Sequence, residues 1–551
     1  MKQKYFKIVF ILSFIFTLSL SGQNTVGTLI NSSESLNGYA LFTVDKETYL
    51  INNCGEVVKQ WTSDFPSGKS VYLLENGNLL RAAKISNPAN ITIPGLGGRI
   101  ELFDWDGNLI WGYDFSTDNS IQHHDIFPMP NGNILVLGTT IITDAEAIQM
   151  GRNPENLTGT ELYNEQIVEL KTVGTNDAEV VWQWDIKDHL IQDFDASKDN
   201  FGSVSQNPQR LDINQVGISG GGPNWLHVNS IQHNADLDQI VISIRHVSEF
   251  YIIDHSTTTA ESASTSGGTY QKGGDLLYRW GNPMIYGQGD ASDQKLFSQH
   301  YPHWIPNGYP DEGKIILYNN GLNRTPSFSQ VDIINPPTSA PGVYTYEANS
   351  AYGPLNTDYT YTAPTNTDFY SAILSSAQRL PNGNTLICEG TSAHFFEIDA
   401  NENIVWKYIS PIGSVSILNQ GDDPTLLANK SKSIFRVKKY TLDYAAFTGR
   451  DLTPGLPIET NPDLSQCNAV LGTSEVGLTS KFSLYPNPTK GIVSFTNPDA
   501  ITKVEVFNTL GGFIKVPYSK NKIDLKNLPS GIYIIKIYAL DKMTIKRVIK
   551  L

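Results

Sequence analysis

The stretch FSQHYPHWIPNG, residues 297–308, places His300 seven residues ahead of an Asn-Gly pair. Two further stretches share this spacing, HHDIFPMPNG with His124 and SSAQRLPNG with Ser375. In WLHVNSIQHNAD, His227 falls at the matching place if the last Asn stands for the turn asparagine. A residue type that recurs at one phase of a repeat is presented at equivalent points in space. In a radial arrangement of repeats, these side chains would converge on one axis.

Around these stretches, a strand-and-turn pattern recurs from about residue 38 to residue 440. Each repeat has an Asn-Gly turn, a short apolar strand and a later strand with Trp, as in PNGNTLICEG followed by HFFEIDANENIVWKY. Asn-Gly between alternating apolar runs predicts a hairpin, because both turn positions take positive φ. The units are about 38–61, 71–113, 122–185, 227–282, 300–348 and 371–408.

The first unit lacks its leading strand, and SIFRVKKY at 433–440 is expected to supply it and so close a ring. The sequence therefore predicts an all-β protein in which residues 23–448 form a six-bladed β-propeller. One or two β-sandwiches are the alternative. The long polar insertions Thr143–Glu161 and Lys187–Pro223 are expected to form walls or a lid around a site, since loops of this length are functional or disordered.

The two ends of the chain differ from this repeat. Residues 1–22 predict a secretory signal peptide, because three lysines precede an apolar run that ends in small residues. The alternative, a membrane anchor, is disfavoured because the run is shorter than a full span. Residues 449–480, rich in Pro, Gly, Ser and Thr, predict a linker, and residues 481–551 alternate like a small β-sandwich.

Charge and cysteine content limit the function further. The net charge is −15, although residues 481–551 hold twelve Lys and Arg against four Asp and Glu. The acidic body argues against nucleic acid as a partner, but a local cluster of Arg and His can still hold a small anion. Three cysteines allow at most one disulfide, with Cys54 and Cys467 as the expected pair and Cys388 as a small strand residue.

The polar residues within the repeats point to an anion site. His227 and Asn229 are two apart, so on a strand both would face the same side. Arg245 lies in the apolar run VISIRHVSEF, where an arginine is costly unless it is paired or faces a wet cavity. The alternative, a metal site, is disfavoured because no carboxylate cluster or Cys accompanies these residues and Arg repels a cation. We therefore expect no metal.

No cofactor is expected either. The glycine run GISGGGPNW lacks the Lys and the strand-to-helix context that a phosphate-binding loop needs. Five other histidines are expected to be non-catalytic, and His394 is left undecided. The five are His189, His233, His246, His255 and His303.

The motifs HHDI, WLHVNS, SIRH and QHYPHWIPNG, in this order and spacing, resemble the bacterial aryl-sulfate sulfotransferases that act without a nucleotide sulfate donor. The similarity spans about residues 38–455 and includes RDLTPGLPIE. It implies a six-bladed propeller whose central funnel holds a nucleophilic histidine that is transiently sulfated. The implied reaction is ping-pong transfer of a sulfuryl group from an aryl sulfate to a phenolic acceptor. The rival hypotheses are a secreted propeller that only binds glycans or proteins, and a sulfatase that passes the group to water.

The resemblance also implies roles for individual residues. His300 would be the nucleophile, and His124 would be a further active-site histidine, with His123 as the alternative by sequence. Ser375 or Ser376 would stand for the family's late Thr. The sulfuryl oxygens would be held by His227, Asn229 and Arg245.

The C-terminal segment has a resemblance of its own. LYPNPTKG, LPSGIYIIKI and KRVIKL in residues 481–551 resemble the C-terminal sorting domain of the bacterial type IX secretion system. This implies export through the outer membrane, with the type IX machinery as a partner. Cleavage of the domain is left open. So is the oligomeric state, because no separate N-terminal β domain of the kind that some sulfotransferases use to dimerise is evident in the sequence.

Overall fold

The computed structural model describes residues 24–467, 484–495, 501–508, 512–519, 521–539 and 542–551. The expected signal peptide, residues 1–22, lies outside the described residues, and so does the 468–480 part of the expected linker. The chain divides into two compact units, Met1–Ala469 and Val470–Leu551. Among the described residues, no helix is both long enough and apolar enough to cross a bilayer.

The first unit is built from short strands, because its sequence alternates apolar and polar residues between Gly- and Asn-containing turns. Its strands are β1 Gly27–Asn31, β2 Gly38–Val44, β3 Glu47–Ile51, β4 Val57–Thr62, β5 Ser67–Leu73, β6 Leu79–Lys84, β7 Gly98–Phe103, β8 Leu109–Asp114, β9 Ser120–Pro128, β10 Ile134–Thr143, β11 Glu161–Val173, β12 Asp177–Asp185, β13 Leu190–Ile191, β14 Leu211–Asp212, β15 Val228–Asn234, β16 Gln239–Ile244, β17 Glu249–Asp254, β18 Tyr278–Trp280, β19 His300–Trp304, β20 Ile315–Asn319, β21 Gln330–Ile334, β22 Thr338–Ala340, β23 Val343–Tyr344, β24 Tyr359–Tyr361, β25 Ser376–Arg379, β26 Thr385–Glu389, β27 His394–Ile398, β28 Ile404–Ile409 and β29 Lys438–Thr441.

Helix is confined to short turns in the connections. α1 (Asp144–Gln149) and α2 (Thr259–Ser262) each begin at a Thr whose side chain and a Glu three residues later cap one another. Single 3₁₀ turns are found at Pro154–Asn156, Ile186–His189, Gly217–Ser219, Pro283–Tyr286, Asn366–Asp368 and Ala445–Phe447.

Within residues 24–467 the strands form six antiparallel sheets of four or five strands, which we number in chain order. They are sheet 1 (β29-β2-β3-β4), sheet 2 (β5-β6-β7-β8), sheet 3 (β9-β10-β11-β12), sheet 4 (β15-β16-β17-β18), sheet 5 (β19-β20-β21-β24) and sheet 6 (β25-β26-β27-β28-β1). The prediction that SIFRVKKY supplies the leading strand of the first unit is confirmed, since β29 pairs with β2. The expected end of the fifth unit at residue 348 is wrong, because a separate β22-β23 hairpin intervenes and β24 is the fourth strand.

The recurrent Trp of the fourth strands connects each sheet to the next. Its indole N–H donates to the following repeat in five cases, which are Trp61 to the Asp104 carbonyl, Trp111 to the Asp177 carbonyl, Trp182 to the Thr257 hydroxyl, Trp280 to the Pro354 carbonyl and Trp406 to the Asn53 carbonyl. In sheet 5 the Tyr359 hydroxyl takes this role and donates to Glu402 of sheet 6. The last of the indole bonds joins sheet 6 back to sheet 1.

The first strands of neighbouring sheets also lie side by side, so that β5 contacts β9, β9 contacts β15 and β15 contacts β19. Between sheets 6 and 1, the Gln378 side chain exchanges two hydrogen bonds with the Lys439 backbone. Apolar side chains fill the space between sheets, as where Phe42 of sheet 1 packs on Phe395 of sheet 6 with ring centroids 5.2 Å apart. These contacts align the first strands of the six sheets.

The cysteine prediction is confirmed. Cys54 and Cys467 form a disulfide with their Cα atoms 5.7 Å apart, and Cys388 is a free, buried residue of β26. The described part of the expected linker lies against the first unit, through bridges of Pro457 to Glu56 and Thr460 to Asn419.

The second unit contains two four-stranded sheets, β30-β31-β35-β34 and β33-β32-β36-β37. Its strands are β30 Leu484–Tyr485, β31 Ile492–Phe495, β32 Ile501–Phe507, β33 Phe513–Ile514, β34 Tyr518–Ser519, β35 Lys522–Asp524, β36 Gly531–Ala539 and β37 Lys542–Lys550. Side chains of both sheets share one buried core that includes Val493, Ile523 and Ile535.

Candidate active site

The polar residues that lie seven positions ahead of a turn asparagine are found at the start of the first strand of several sheets. His124 lies in β9, His227 precedes β15, His300 begins β19 and Ser375 precedes β25. Sheet 2 places Lys69 at the same phase, seven residues ahead of Asn76-Gly77. Sequence reasoning missed Lys69 because it compared mainly histidines at this position, although the spacing of Lys69 is the same.

Bulges aim these side chains away from the strand ladders. The pairing register shifts in β5, β9, β15 and β19 close to the site residue. Lys69, His124, His227 and Ser375 have left-handed backbones, with φ of 100°, 51°, 55° and 87°. An extra residue in one strand redirects a side chain in this way. The expectation that His227 and Asn229 lie on one strand does not hold, because His227 precedes β15 and the register shift of β15, between Val228 and Ser230, falls at Asn229.

The histidine rings form one cluster. The centroids of His124 and His227 are 4.7 Å apart. Phe435, three residues before β29, lies 6.3 Å from His124 and 6.4 Å from His300 by ring centroids. His300 and Arg245 both lower the pKa of His227. His124, His227, His300 and Arg245 are thus neighbours in the fold, although His124 and His300 are 176 positions apart in the sequence.

The orientation of His300 is fixed by Asn320, a residue that sequence reasoning missed. The Asn320 side-chain N–H groups donate to the carbonyls of Ser371 and Leu374, at 2.7 and 3.0 Å. Its oxygen therefore faces Nδ1 of His300 at 2.7 Å and can only accept. Hence the ring proton of His300 is on Nδ1 and the lone pair is on Nε2.

His300 is also held neutral. Burial lowers the pKa of its ring to about 3, and Arg245 adds to this effect, against the hydrogen bonds to Asn320 and the Ser298 carbonyl. A neutral imidazole with a free lone pair is a competent nucleophile near neutral pH.

His124 is oriented through its neighbour. Its Nδ1 lies 2.9 Å from Nδ1 of His123, whose Nε2 lies 2.8 Å from a carboxylate oxygen of Glu165. On the other side, Gly95 covers Nε2 of His124, since a Cβ at that glycine would lie 2.5 Å from this atom. Both ring nitrogens of His124 therefore face protein. Burial, His123 and His300 hold the pKa of His124 well below its usual value.

His227 is set by the end of the long second insertion. Asn224 donates its side-chain N–H to Nδ1 of His227 at 2.9 Å, which puts the ring proton on Nε2. Burial and His124 hold the pKa of His227 well below its usual value. His246, set aside by sequence, lies beside it with ring centroids 4.7 Å apart, and Ile218 of the insertion donates to the His246 carbonyl. The insertion therefore borders the cluster.

Arg245 is a buried cation that has no counter-ion among the described residues. It directly follows β16, so it lies in the turn and not inside an apolar strand as its sequence context suggested. It is 7% exposed, and within the described residues its guanidinium has no hydrogen bond or ion pair. Burial lowers its pKa to about 10, so it stays charged at neutral pH. A buried, unpaired guanidinium among neutral rings favours a bound anion.

Asn229 and Ser375 are anchored to protein. Asn229 donates to the Gln299 carbonyl at 2.8 Å, and its own side-chain oxygen is buried and has no hydrogen-bond partner in the described part of the chain. The Ser375 hydroxyl donates to Ser371 at 2.9 Å and accepts from the Gly390 N–H. Substrate contact by these two residues stays a prediction.

A second polar network joins several sheets next to the histidines. Arg436 pairs with Asp125 at 2.7 Å, donates to the Tyr72 hydroxyl at 2.7 Å and lies 3.6 Å above the ring of Tyr301. The Tyr72 hydroxyl also accepts from Gln232. Sequence reasoning missed this network, although Arg436 in SIFRVKKY is an arginine in an apolar strand, the signal that singled out Arg245.

Other histidines have structural partners. His189 contacts Asp275 and the Ser262 carbonyl, and His394 lies 3.7 Å from Glu389. His233 and His255 both contact Asp238, at 2.9 and 2.7 Å, in an arrangement whose ligand atoms could hold a metal ion. These distances are those of hydrogen bonds, and the cluster belongs to the hairpin ends of sheet 4.

Comparison with known proteins gives two family matches. The model of the family described as arylsulfotransferase matches residues 23–419. The model described as secretion system C-terminal sorting domain matches residues 483–551. No curated protein sequence matches the chain.

Among solved structures, similarity is low. A protein of unknown function from Bacteroides caccae is 11% identical with a TM-score of 0.38, over 73% of this chain and 98% of that one. The β-propeller domain of Cps50 from Myceliophteria thermophila is 11% identical with a TM-score of 0.33, over 71% and 88%. A protein from Lactobacillus plantarum is 9% identical with a TM-score of 0.33, over 73% and 99%.

Proposed function

The chain belongs to the arylsulfotransferase family, and we propose that it moves a sulfuryl group from an aryl sulfate ester to a phenolic acceptor without a nucleotide sulfate donor. Its C-terminal sorting domain directs export by the type IX system to the outer membrane or cell surface. The observation that carries the proposal is the unpaired, buried Arg245 beside three neutral histidines. This arrangement suits a small anion that reacts with an imidazole.

We propose further that the six sheets form a closed six-bladed β-propeller. The support is the series of side-chain hydrogen bonds from each sheet to the next, including those from Trp406 to Asn53 and from Gln378 to Lys439. A closed ring of blades leaves only short, protected sheet edges and presents equivalent positions of its first strands to one axis. The shared phase of the site residues then has a geometric cause.

In the proposed first step, Nε2 of His300 attacks the sulfur of the donor. The N–S bond forms, the bond from sulfur to the aryl oxygen breaks, and its electron pair leaves on the phenolic oxygen. Arg245 and the Nε2–H of His227 donate to the sulfuryl oxygens, where charge is spread as in phosphoryl transfer. The acceptor phenol then attacks the sulfated histidine in the reverse sense, which makes the reaction ping-pong.

The test is incubation of the exported protein with chromogenic aryl sulfates, with and without added phenol and with a chelator present. We expect release of the donor phenol to rise with acceptor concentration and to survive chelation. Release at the buffer rate across several donors would favour a binding module. Release independent of phenol would favour a sulfatase.

Replacing Arg245 by lysine is expected to slow transfer by about ten- to a thousand-fold, because the charge remains but the planar fork of donors is lost. The sulfated intermediate should still be detectable by intact mass after mixing with donor alone. Arg99→Lys is the control, since Arg99 pairs with Glu101 and Asp114 outside the cluster. A loss of equal size in the control would contradict this role.

Asn320→Asp is expected to move the acid limb of the donor half-reaction to higher pH. In the native protein the pKa of His300 is about 3, so the ring is neutral and reactive above about pH 5. A carboxylate at position 320 raises the pKa of His300, so the nucleophile becomes protonated, and inactive, at a higher pH. The measurement is the pH profile of intermediate formation, and an unchanged acid limb would remove Asn320 from this role.

A further inference from the structure

We propose that Lys69 contacts the phenolic oxygen of donor and acceptor and stabilises the charge that develops there during transfer. This inference rests on the proposed function and deepens it, because it assigns a group to the aryl side of the scissile bond. The residues discussed above account only for the sulfuryl side and the nucleophile.

The position of Lys69 follows from the repeat. It lies seven residues ahead of Asn76-Gly77, the phase that places His124 and His300 in the cluster. It belongs to β5, the first strand of sheet 2, which contacts β9. The register of β5 shifts between Ser67 and Val71, and Lys69 itself has a φ of 100°. The bulge therefore turns Lys69 out of the ladder as it turns the histidines.

The charge of Lys69 is directed at the cluster and is not neutralised. β5, which carries Lys69, contacts β9, which carries His124, and after burial and the neighbouring histidines the ammonium of Lys69 also lowers the pKa of His124. Within the described residues no carboxylate pairs with Lys69, and no hydrogen bond to its ammonium is formed. Burial and Lys84 lower the pKa of Lys69 itself. A lysine in such surroundings gives up and regains a proton more readily than an exposed one.

The other polar groups near the histidines already have a protein partner or a proposed role. Both ring nitrogens of His124 face protein, at His123 and Gly95. Arg436 is paired with Asp125. Arg245 is the group proposed for the sulfuryl oxygens. Lys438 lies with its ammonium 5.2 Å from the ring centre of Tyr72, in the network of Arg436. Of the two cations that act on the ring of His124, Arg245 and Lys69, Lys69 is thus left for the aryl oxygen, which becomes a phenolate as the S–O bond breaks.

Lys69 gives up a proton in the first half-reaction and regains one in the second. As the donor's S–O bond breaks, the Lys69 ammonium transfers a proton to the phenolic oxygen, and the donor leaves as a phenol. Neutral Lys69 then takes the hydroxyl proton of the acceptor phenol while that oxygen attacks the sulfur on His300. The new S–O bond forms, the N–S bond breaks, and both His300 and Lys69 return to their starting states.

The test is the dependence of the rate of intermediate formation on the leaving phenol. Native protein, Lys69→Met, Lys69→Arg and Lys171→Met are mixed in single turnovers with aryl sulfates that range from nitrophenyl to methoxyphenyl esters. Lys171 is the control because its side chain is 59% exposed and pairs with Glu179, outside the histidine cluster. Thermal unfolding shows that each variant is folded.

We expect Lys69→Met to slow esters of weakly acidic phenols by about a hundred-fold or more, and nitrophenyl esters much less, because good leaving groups need little proton assistance. Lys69→Arg should restore part of the loss, and Lys171→Met should match the native protein. An equal loss for all donors, or none, in folded Lys69→Met would overturn the assignment. Absence of transfer by the native protein would instead refute the proposed function.

Discussion

Replacement of His300 by alanine or by asparagine is expected to lower sulfuryl transfer by at least about 10⁴-fold, as loss of a nucleophile does in other enzymes with covalent intermediates. Neither side chain can carry the group through the covalent step. The native ring has the required form, since Asn320 holds the proton on Nδ1 and burial with Arg245 keeps the pKa near 3. No sulfated protein should form in either variant.

Intact-mass analysis after mixing with donor alone gives the measurement, and peptide mapping under non-acidic conditions locates the group. His303→Asn is a matched control, because His303 lies on the same strand and its Nδ1 bonds to the Tyr301 carbonyl. The control should still form the intermediate. Sulfation of a residue other than His300, or normal turnover by His300→Ala, would refute the mechanism even if the reaction class proved right.

The second large effect concerns stability. We expect Arg436→Met to lower the free energy of unfolding of the first unit by about 3–5 kcal/mol, because it leaves the buried carboxylate of Asp125 without its cation. The side chains of the pair are 5% and 0% exposed. The double variant Arg436→Met with Asp125→Leu should regain part of the loss, since it removes the unpaired charge.

Tryptophan fluorescence in denaturant is the measurement, because all nine Trp residues belong to the first unit and report on it alone. Lys171→Met is the control: Lys171 and Glu179 lie 3.4 Å apart with both side chains 59% exposed, and such pairs contribute at most about 1 kcal/mol. A loss in Arg436→Met no larger than in this control would show that the network does not hold the sheets together.

Many strands and several candidate site residues of this protein could be predicted from local sequence. The Asn-Gly turns and alternating strands predicted the antiparallel units. SIFRVKKY was predicted to supply the missing strand of sheet 1, and it does so, since β29 pairs with β2. The spacing of seven residues ahead of a turn asparagine singled out His124, His227 and His300. Lys69 has the same spacing and could have been predicted from it. These features are local because hairpin geometry fixes where each side chain stands relative to its own turn.

Only the tertiary structure determines which partner each side chain has and in which direction it points. Asn320 orients His300 from the next strand, Glu165 reaches His123 from another strand of sheet 3, and Arg436 meets Asp125 across 311 positions of sequence. Strand alternation does not describe His227 and Asn229, because His227 precedes β15 and the bulge of that strand falls at Asn229. One extra residue reverses the face of every side chain that follows it, and contacts between sheets depend on how whole sheets pack, so neither follows from spacing along a strand.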